Sequence, residues 1–196
     1  LEYEMIEVLK RLKDDYGVFE IKAEFEAEGS RMEEMMRLKD VATFVGLPVI
    51  LKIGGVEAVT DIYNALSIGV KGIIAPMAET PFALMKYLGL IKNMVPNDNA
   101  EDIEFGVNFE TITTYHNIDD MLALPDISLL TGVTIGRVDL TASMGLDRGA
   151  INASSQVYGI CYTMARKIRA EGFKIGLGGG ISTEALPIIK RLAEDQ

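Results

Sequence analysis

Short apolar runs rich in β-branched residues alternate with longer amphipathic segments along the whole chain. The apolar runs predict six strands: VFEIKAEFE, PVILKI, KGIIAP, IEFGVNFE, LTGVTIGRVDL and FKIGLGG. The intervening segments have helical spacing and length: 30–45, 56–68, 80–94, 113–123, 153–171 and 182–193, with a leading helix over 2–15. The order is therefore one helix followed by six strand–helix units.

Several predicted boundaries carry residues that favour helix ends. Thr80 before Pro81 is typical of an N-cap followed by a first-turn proline, and Ser182 precedes the last predicted helix. Glycines follow three of the helices: Gly46, Gly69 and Gly172.

Strict strand–helix alternation predicts an α/β fold with parallel strands and right-handed crossovers, either an open doubly wound sheet or a closed barrel. Polar residues recur after nearly every strand, which favours a barrel, because an open sheet concentrates them at one switch point. We therefore predict one domain over residues 1–196: a (β/α) TIM-type barrel, incomplete because only six units are recognisable. A truncated chain, an unusual barrel or an exchanged segment would each explain six units.

Exposed strand edges left by missing units would favour aggregation. We therefore expect another chain or an exchanged segment to cover them, and predict a homo-oligomer.

Charge and composition narrow the classes of partner. Acidic residues outnumber basic ones by 29 to 19, and the net charge of −10 disfavours nucleic acid and anionic lipid surfaces. The hydrophobic fraction of 48% is typical of a globular protein with a substantial core. An anionic ligand would need a local cation or metal against this background field.

Cysteine usage and hydropathy predict a cytoplasmic location without a membrane. The one cysteine, Cys161, lies in an apolar stretch and excludes both a disulfide framework and a cysteine-rich zinc site. No apolar run approaches the roughly 20 residues of a membrane span, and the amino terminus is amphipathic.

Side-chain alternation along each strand shows which polar residues share a face. These sets are Lys22 with Glu24 and Glu26, Asn108 with Glu110, and Arg137 with Asp139. Glu110 and Asp139 are one strand–helix unit apart, so they should end adjacent parallel strands. Two carboxylates suit Mg²⁺ or Mn²⁺ and leave positions for water and a bidentate substrate. Alternatively, both cap helices or pair with Arg137 and Lys52.

The motifs GVNFETI and GVTIGRVDLTASMG, with GIIAPMAET and LPVILKIGG upstream, resemble successive strand motifs of the HpcH/HpaI aldolase and citrate lyase family. The four motifs occur in order within residues 20–180. The resemblance implies that Glu110 and Asp139 bind a divalent metal such as Mg²⁺. It also implies a carbon–carbon lyase that acts on a small 2-oxo acid or acyl substrate through an enolate.

The sequence departs from the family's pattern at two positions, where the family has a cationic arginine and a histidine general base. Lys52 stands where the family has an arginine, so the charge is retained without the planar fork. Phe25 stands where the family aldolases have a histidine that acts as general base. The only histidine, His116, falls in the helix after Glu110, where a solvated or capping role is more common. Glu24, Glu26, Glu28 or a metal-bound water are therefore candidate proton carriers.

The segment GRVDLTAS supplies further candidates. The resemblance implies that main-chain amides around Asp139 and Leu140 receive the substrate carboxylate, with Arg137 and Ser143 nearby. Arg137 could equally form a salt bridge with a neighbouring carboxylate.

Two other functions stay open. The run GLGGGIS, residues 176–182, could bind phosphate at a helix N-terminus, as in barrel isomerases or synthases, or could form only a tight turn. The absent histidine and short barrel also suit a catalytically silent, metal-binding relative.

Overall fold

A computed structural model describes residues 1–96 and 101–194. Six parallel strands form one sheet in chain order, each paired with the next. They are β1 (Ile21–Glu24), β2 (Val49–Lys52), β3 (Gly72–Ala75), β4 (Glu104–Phe109), β5 (Gly132–Gly136) and β6 (Lys174–Gly178). The sheet curls into a half-barrel with helices between its strands, so the predicted incomplete (β/α) barrel is confirmed.

Nine helices connect or flank the strands within the described residues. They are α1 (Glu2–Tyr16), α2 (Met32–Val45), α3 (Val59–Ile68), α4 (Pro81–Met94), α5 (Ile112–Leu122), α6 (Arg137–Ser143), α7 (Ala150–Ala153), α8 (Ser155–Ala170) and α9 (Leu186–Glu194). Short 3₁₀ turns occupy Ile127–Leu129 and Thr183–Ala185. None of these helices is long and apolar enough to cross a membrane.

The segment LTGVTIGRVDL, predicted to be strand throughout, departs most from its predicted structure. Strand β5 ends at Gly136, paired with the last residue of β6, and the chain turns at once into helix α6. Asp139 is the third residue of that helix, where a carboxylate interacts favourably with the helix dipole. Helix α7 was also missed.

The caps at helix ends agree with prediction except at Ser182. Thr80 Oγ1 accepts a hydrogen bond from the Ala83 amide at 3.1 Å. Gly46 and Gly69 adopt left-handed conformations at the ends of α2 and α3. Ser182 is the N-cap residue of the 3₁₀ turn that precedes α9, but its hydroxyl donates to the Glu184 side chain and makes no capping bond to the backbone.

The hydrophobic core lies between the helices and the outer face of the sheet. Strand residues of one parity are fully buried there, among them Leu51, Ile73, Val107 and Ile135. Cys161 of α8 joins this core as a free thiol, and burial raises its pKa to about 11. Residues of the other parity face the barrel interior, so that face is available for chemistry.

Candidate metal and substrate site

The carboxyl ends of the strands bring most of the predicted residues to one edge of the sheet. Glu24 ends β1, Lys52 ends β2 and Glu110 directly follows β4. Asp139 lies in the first turn of α6, directly after β5. Parallel strands place these positions together because their carboxyl ends share one edge.

Glu110 is buried, with 4% of its surface exposed. Its Oε1 accepts a hydrogen bond from the Met77 amide at 3.0 Å, and its Oε2 accepts one from Asn108 Nδ2 at 3.1 Å. Burial raises the pKa of Glu110 and the nearby charge of Asp139 raises it further, against the lowering effects of Met77, Asn108 and Lys52. The two carboxylates are therefore close enough to repel each other.

The absence of a side chain at Gly136 makes room for the Glu110 carboxylate. A Cβ at this position would lie 2.5 Å from Glu110 Oε2 and 2.7 Å from Glu110 Cβ. Both separations are below van der Waals contact, so only glycine fits beside Glu110 in this arrangement. The glycine at the end of β5 thus shapes the site.

The donor atoms at this edge fit a hard divalent cation. Glu110 and Asp139 offer carboxylate oxygens, and the buried Oδ1 of Asn108 has no hydrogen-bond partner within the described residues. No group of three or more His, Cys, Asp or Glu side chains suited to a metal is found in that part of the chain. Two carboxylates, one neutral oxygen and water match Mg²⁺, which keeps several waters, better than zinc, which takes nitrogen and sulfur ligands.

Lys52 forms a compact charge cluster with the two glutamates of the first strand segment. Its Nζ lies 2.7 Å from Glu24 Oε2 and is also paired with Glu26 Oε2. Burial alone would lower the pKa of Lys52, but the hydrogen bonds and charges of both glutamates raise it. Lys52 is therefore a fixed cation whose charge is already matched.

Arg137 has its guanidinium away from this cluster. The residue is fully buried, and it donates to Asn152 Oδ1 at 2.9 Å, to the Gly179 carbonyl at 2.7 Å and to the Gly180 carbonyl at 3.2 Å. Burial lowers the pKa of Arg137. No carboxylate of the described chain lies within salt-bridge distance, so its observed contacts hold the glycine loop after β6.

The remaining predicted residues have mainly structural contacts. Ser143 Oγ accepts from the Ile112 amide at 2.9 Å and donates to the Leu140 carbonyl at 2.8 Å, joining α5 to α6. Leu140 has a fully buried side chain, so only its backbone could face a ligand. Gly179, in the predicted phosphate loop, packs so closely on α6 that a Cβ would lie 2.6 Å from the Val138 amide nitrogen.

Several solved structures have the same architecture as this chain. The structure of citrate synthase SbnG has a TM-score of 0.77 at 20% identity, with 97% of this chain and 77% of that chain covered. An HpcH/HpaI aldolase from Desulfitobacterium hafniense DCB-2 has a TM-score of 0.71 at 16% identity, covering 94% of this chain and 77% of that chain.

The chain has the HpcH/HpaI aldolase fold. CitE from Mycobacterium tuberculosis, solved in complex with magnesium, acetoacetate and coenzyme A, has a TM-score of 0.58 at 12% identity, covering 96% of this chain and 77% of that chain. No protein-family model and no curated protein matches the sequence. The suspected resemblance to HpcH/HpaI aldolases is thus confirmed at the level of fold.

Within this HpcH/HpaI fold, some residues of the site were not predicted from the sequence. Met77 has a positive φ of 50°, a strained conformation for a side chain other than glycine, and its amide binds Glu110. No sequence pattern indicated this. Asn108 and Lys22 were placed on the correct faces by strand parity but were assigned no role.

Proposed function

We propose that this chain is a divalent-metal-dependent carbon–carbon lyase that acts on a 2-oxo acid or acyl substrate through an enolate. One observation carries the proposal. The buried Glu110 carboxylate lies near Asp139, and neither has a lysine or arginine within salt-bridge distance in the described chain. Such a pair is unfavourable until a cation binds it.

Glu110 and Asp139 are the residues that would hold the metal, with Asn108 Oδ1 as a further oxygen donor. When bound, Mg²⁺ or Mn²⁺ supplies Lewis acidity that stabilises the enolate form of the substrate. Asn108 and the Met77 amide orient the Glu110 carboxylate through the two hydrogen bonds described above. These contacts fix both of its oxygens before any ligand arrives.

The other residues would bind substrate and move protons. The main-chain amides around Asp139 and Leu140 are the proposed site for the substrate carboxylate. Lys52 contributes positive charge while Glu24 and Glu26 hold it in place, and these glutamates are the proposed proton carriers. An aldehyde-lyase or oxo-acid-lyase activity is the reaction class, and a cytoplasmic homo-oligomer remains a prediction.

Exchange of the pyruvate methyl protons with deuterated solvent, followed by NMR, tests this proposal. We expect exchange that requires Mg²⁺ or Mn²⁺ and is lost in Glu110→Gln and Asp139→Asn. Asp126→Asn is the matched control, because Asp126 pairs with Lys92 on the surface and should leave exchange unchanged. Exchange that is independent of metal, or absent with every divalent metal tried, would refute the proposal.

A further inference from the structure

The loop between β3 and α4, residues 76–79, supplies one of the two hydrogen bonds that orient Glu110. The Met77 amide donates to Glu110 Oε1 at 3.0 Å, and Met77 has a φ of 50°. This left-handed region is unfavourable for residues with a Cβ, which comes too close to the carbonyl oxygen. Met77 therefore keeps this conformation only because surrounding contacts hold the loop.

Two side chains of α5 hold the residues that follow Met77. Thr114 Oγ1 donates to the Ala78 carbonyl at 3.0 Å, and Asn117 Nδ2 donates to the Glu79 carbonyl at 2.8 Å. Thr114 and Ala78 are both fully buried, so water has no access to the bond between them. The loop is thus fixed to one helix by two hydrogen bonds.

The same helix begins directly after Glu110. Thr111 is the N-cap of α5, and its hydroxyl accepts from the Thr114 amide at 3.2 Å and lies 3.1 Å from Thr114 Oγ1. Because Thr114 gives its one hydroxyl proton to Ala78, the Thr111 hydroxyl donates to Thr114 Oγ1. The turn that carries Glu110 and the loop that binds it therefore meet at the Thr114 hydroxyl.

We propose that Thr114 and Asn117 are positioning residues that orient Glu110 through the β3–α4 loop. Their hydrogen bonds keep Met77 in its left-handed conformation, with the Met77 amide on Glu110 Oε1. The carboxylate is thereby oriented before a ligand arrives. The assignment of Glu110 as a metal ligand rests on the proposed function, whereas its orientation by the loop does not.

Glycine at position 77 separates this role from simple packing. Glycine adopts a positive φ without steric cost, so Met77→Gly should no longer need the two hydrogen bonds to α5. Met77→Gly should therefore offset the effect of Thr114→Val, which removes the hydroxyl and keeps the shape. If Thr114 only packed in the core, the effects of the two substitutions would add.

Amide hydrogen exchange, measured by NMR in EDTA, tests the inference without any metal. We expect Thr114→Val to lower the protection factor of the residue 77 amide at least about 10-fold, because its bond to Glu110 is lost. Asn117→Ala should lower it to a smaller extent. Thr114→Ser keeps the hydroxyl and should preserve it. The amides of β3 report overall stability and should change less.

Thr163→Val is the matched control. Thr163 Oγ1 donates to the Gly159 carbonyl at 2.8 Å within α8, so the same substitution removes a similar bond elsewhere in the fold. It should leave residue 77 unchanged. Equal losses of protection at residue 77 and throughout β3 in Thr114→Val would overturn the inference. Unchanged protection in Asn117→Ala, which alters a half-buried side chain, would do the same if Thr114→Val does not fold.

Mn²⁺ affinity gives the functional readout. Thr114→Val should weaken binding about 10-fold, at the lower end of the effect of removing an indirect partner of a metal ligand. Thr114→Val/Met77→Gly should recover most of this loss and most of the protection at residue 77. Additive losses in the double variant would contradict the inference. If the wild type binds no Mn²⁺, the proposed function fails, but the protection factors still decide the role of Thr114.

Discussion

The charged side chains at the carboxyl ends of β1 and β2 are arranged differently from those at the carboxyl ends of β4 and β5. On the β1–β2 side, Lys52 lies between Glu24 and Glu26, so opposite charges are matched within the protein. On the β4–β5 side, Glu110 lies near Asp139, and within the described chain both hydrogen bonds to its oxygens come from neutral donors. On the β1–β2 side a lysine pairs with both carboxylates, whereas the proposed function assigns a bound cation to the β4–β5 side.

Arg137 adds to this contrast because it lies two positions before Asp139 in the sequence. Its guanidinium could have matched the two carboxylates, yet it binds the carbonyls of Gly179 and Gly180. The fold thus uses its buried arginine to hold a loop, and among the described residues no lysine or arginine lies within salt-bridge distance of Glu110 or Asp139. Such an arrangement is typical of sites that bind an external ion.

Replacing Arg137 should have the largest effect on stability. Arg137→Met leaves Asn152 and two loop carbonyls without their charged donor, and we expect a loss of about 3–5 kcal/mol in the free energy of unfolding. Urea denaturation measures this. Arg148→Met, at an exposed position, should change stability by less than about 0.5 kcal/mol. A small loss of stability in Arg137→Met, accompanied by loss of activity, would instead indicate a role at the substrate.

A side chain in the space beside Glu110 should specifically disturb the side of the site that contains Glu110 and Asp139. Gly136→Ala places a Cβ 2.7 Å from Glu110 Cβ, and we expect a loss of about 1–3 kcal/mol in unfolding free energy together with weaker metal binding. Gly159→Ala is the matched control, because a Cβ at this exposed position of α8 meets nothing within 4 Å. That control should be neutral or slightly stabilising. Equal behaviour of the two variants would show that Glu110 is not confined by Gly136.

Replacing Lys52 should destabilise the β1–β2 side of the site. Lys52→Met leaves Glu24 and Glu26 without their partner, and we expect a loss of about 1–3 kcal/mol at neutral pH. Because the folded pKa of Lys52 is raised above 10.5, its contribution is fully present below that pH and is lost as pH rises through the folded value. The difference between wild type and variant should therefore vanish in strongly alkaline solution. A difference that persists there would contradict the electrostatic explanation.

Neutralising Glu110 should have the smallest effect, and it should be stabilising in the absence of metal. Its folded pKa is raised above 4.5, so the ionised carboxylate destabilises the metal-free fold at neutral pH and this penalty disappears as pH falls through the folded value. Glu110→Gln should gain about 1 kcal/mol at neutral pH, and the gain should shrink in acid. Thermal unfolding in EDTA at a series of pH values measures this gain in stability. A variant less stable than the wild type at neutral pH would argue against repulsion between Glu110 and Asp139.

The sequence predicted the architecture because periodicity and helix caps are local signals. Thr80 and the glycines after α2 and α3 marked helix ends that the structure confirms. Strand parity also placed Glu24, Lys52 and Glu110 at one edge. The ends of strands depend on where a partner strand ends, which explains why α6 was taken for strand.

The contacts within the site were much less predictable. Arg137 and Asp139 were assigned to one face of a strand, but in helix α6 their side chains diverge, and Arg137 binds residues 42 and 43 positions away. The backbone of Met77 and the space at Gly136 depend on neighbouring strands. No pattern within a single strand encodes them.

Titration of the metal-free protein with Mn²⁺, followed by electron paramagnetic resonance, tests the central claim most directly. We expect one site in the wild type, with binding at least about 100-fold weaker in Glu110→Gln and in Asp139→Asn. Affinity should also fall as pH decreases, beginning above the ordinary Glu pKa of 4.5. Absence of a site in the wild type, or unchanged affinity in both variants, would contradict the assignment of Glu110 and Asp139 as the metal ligands.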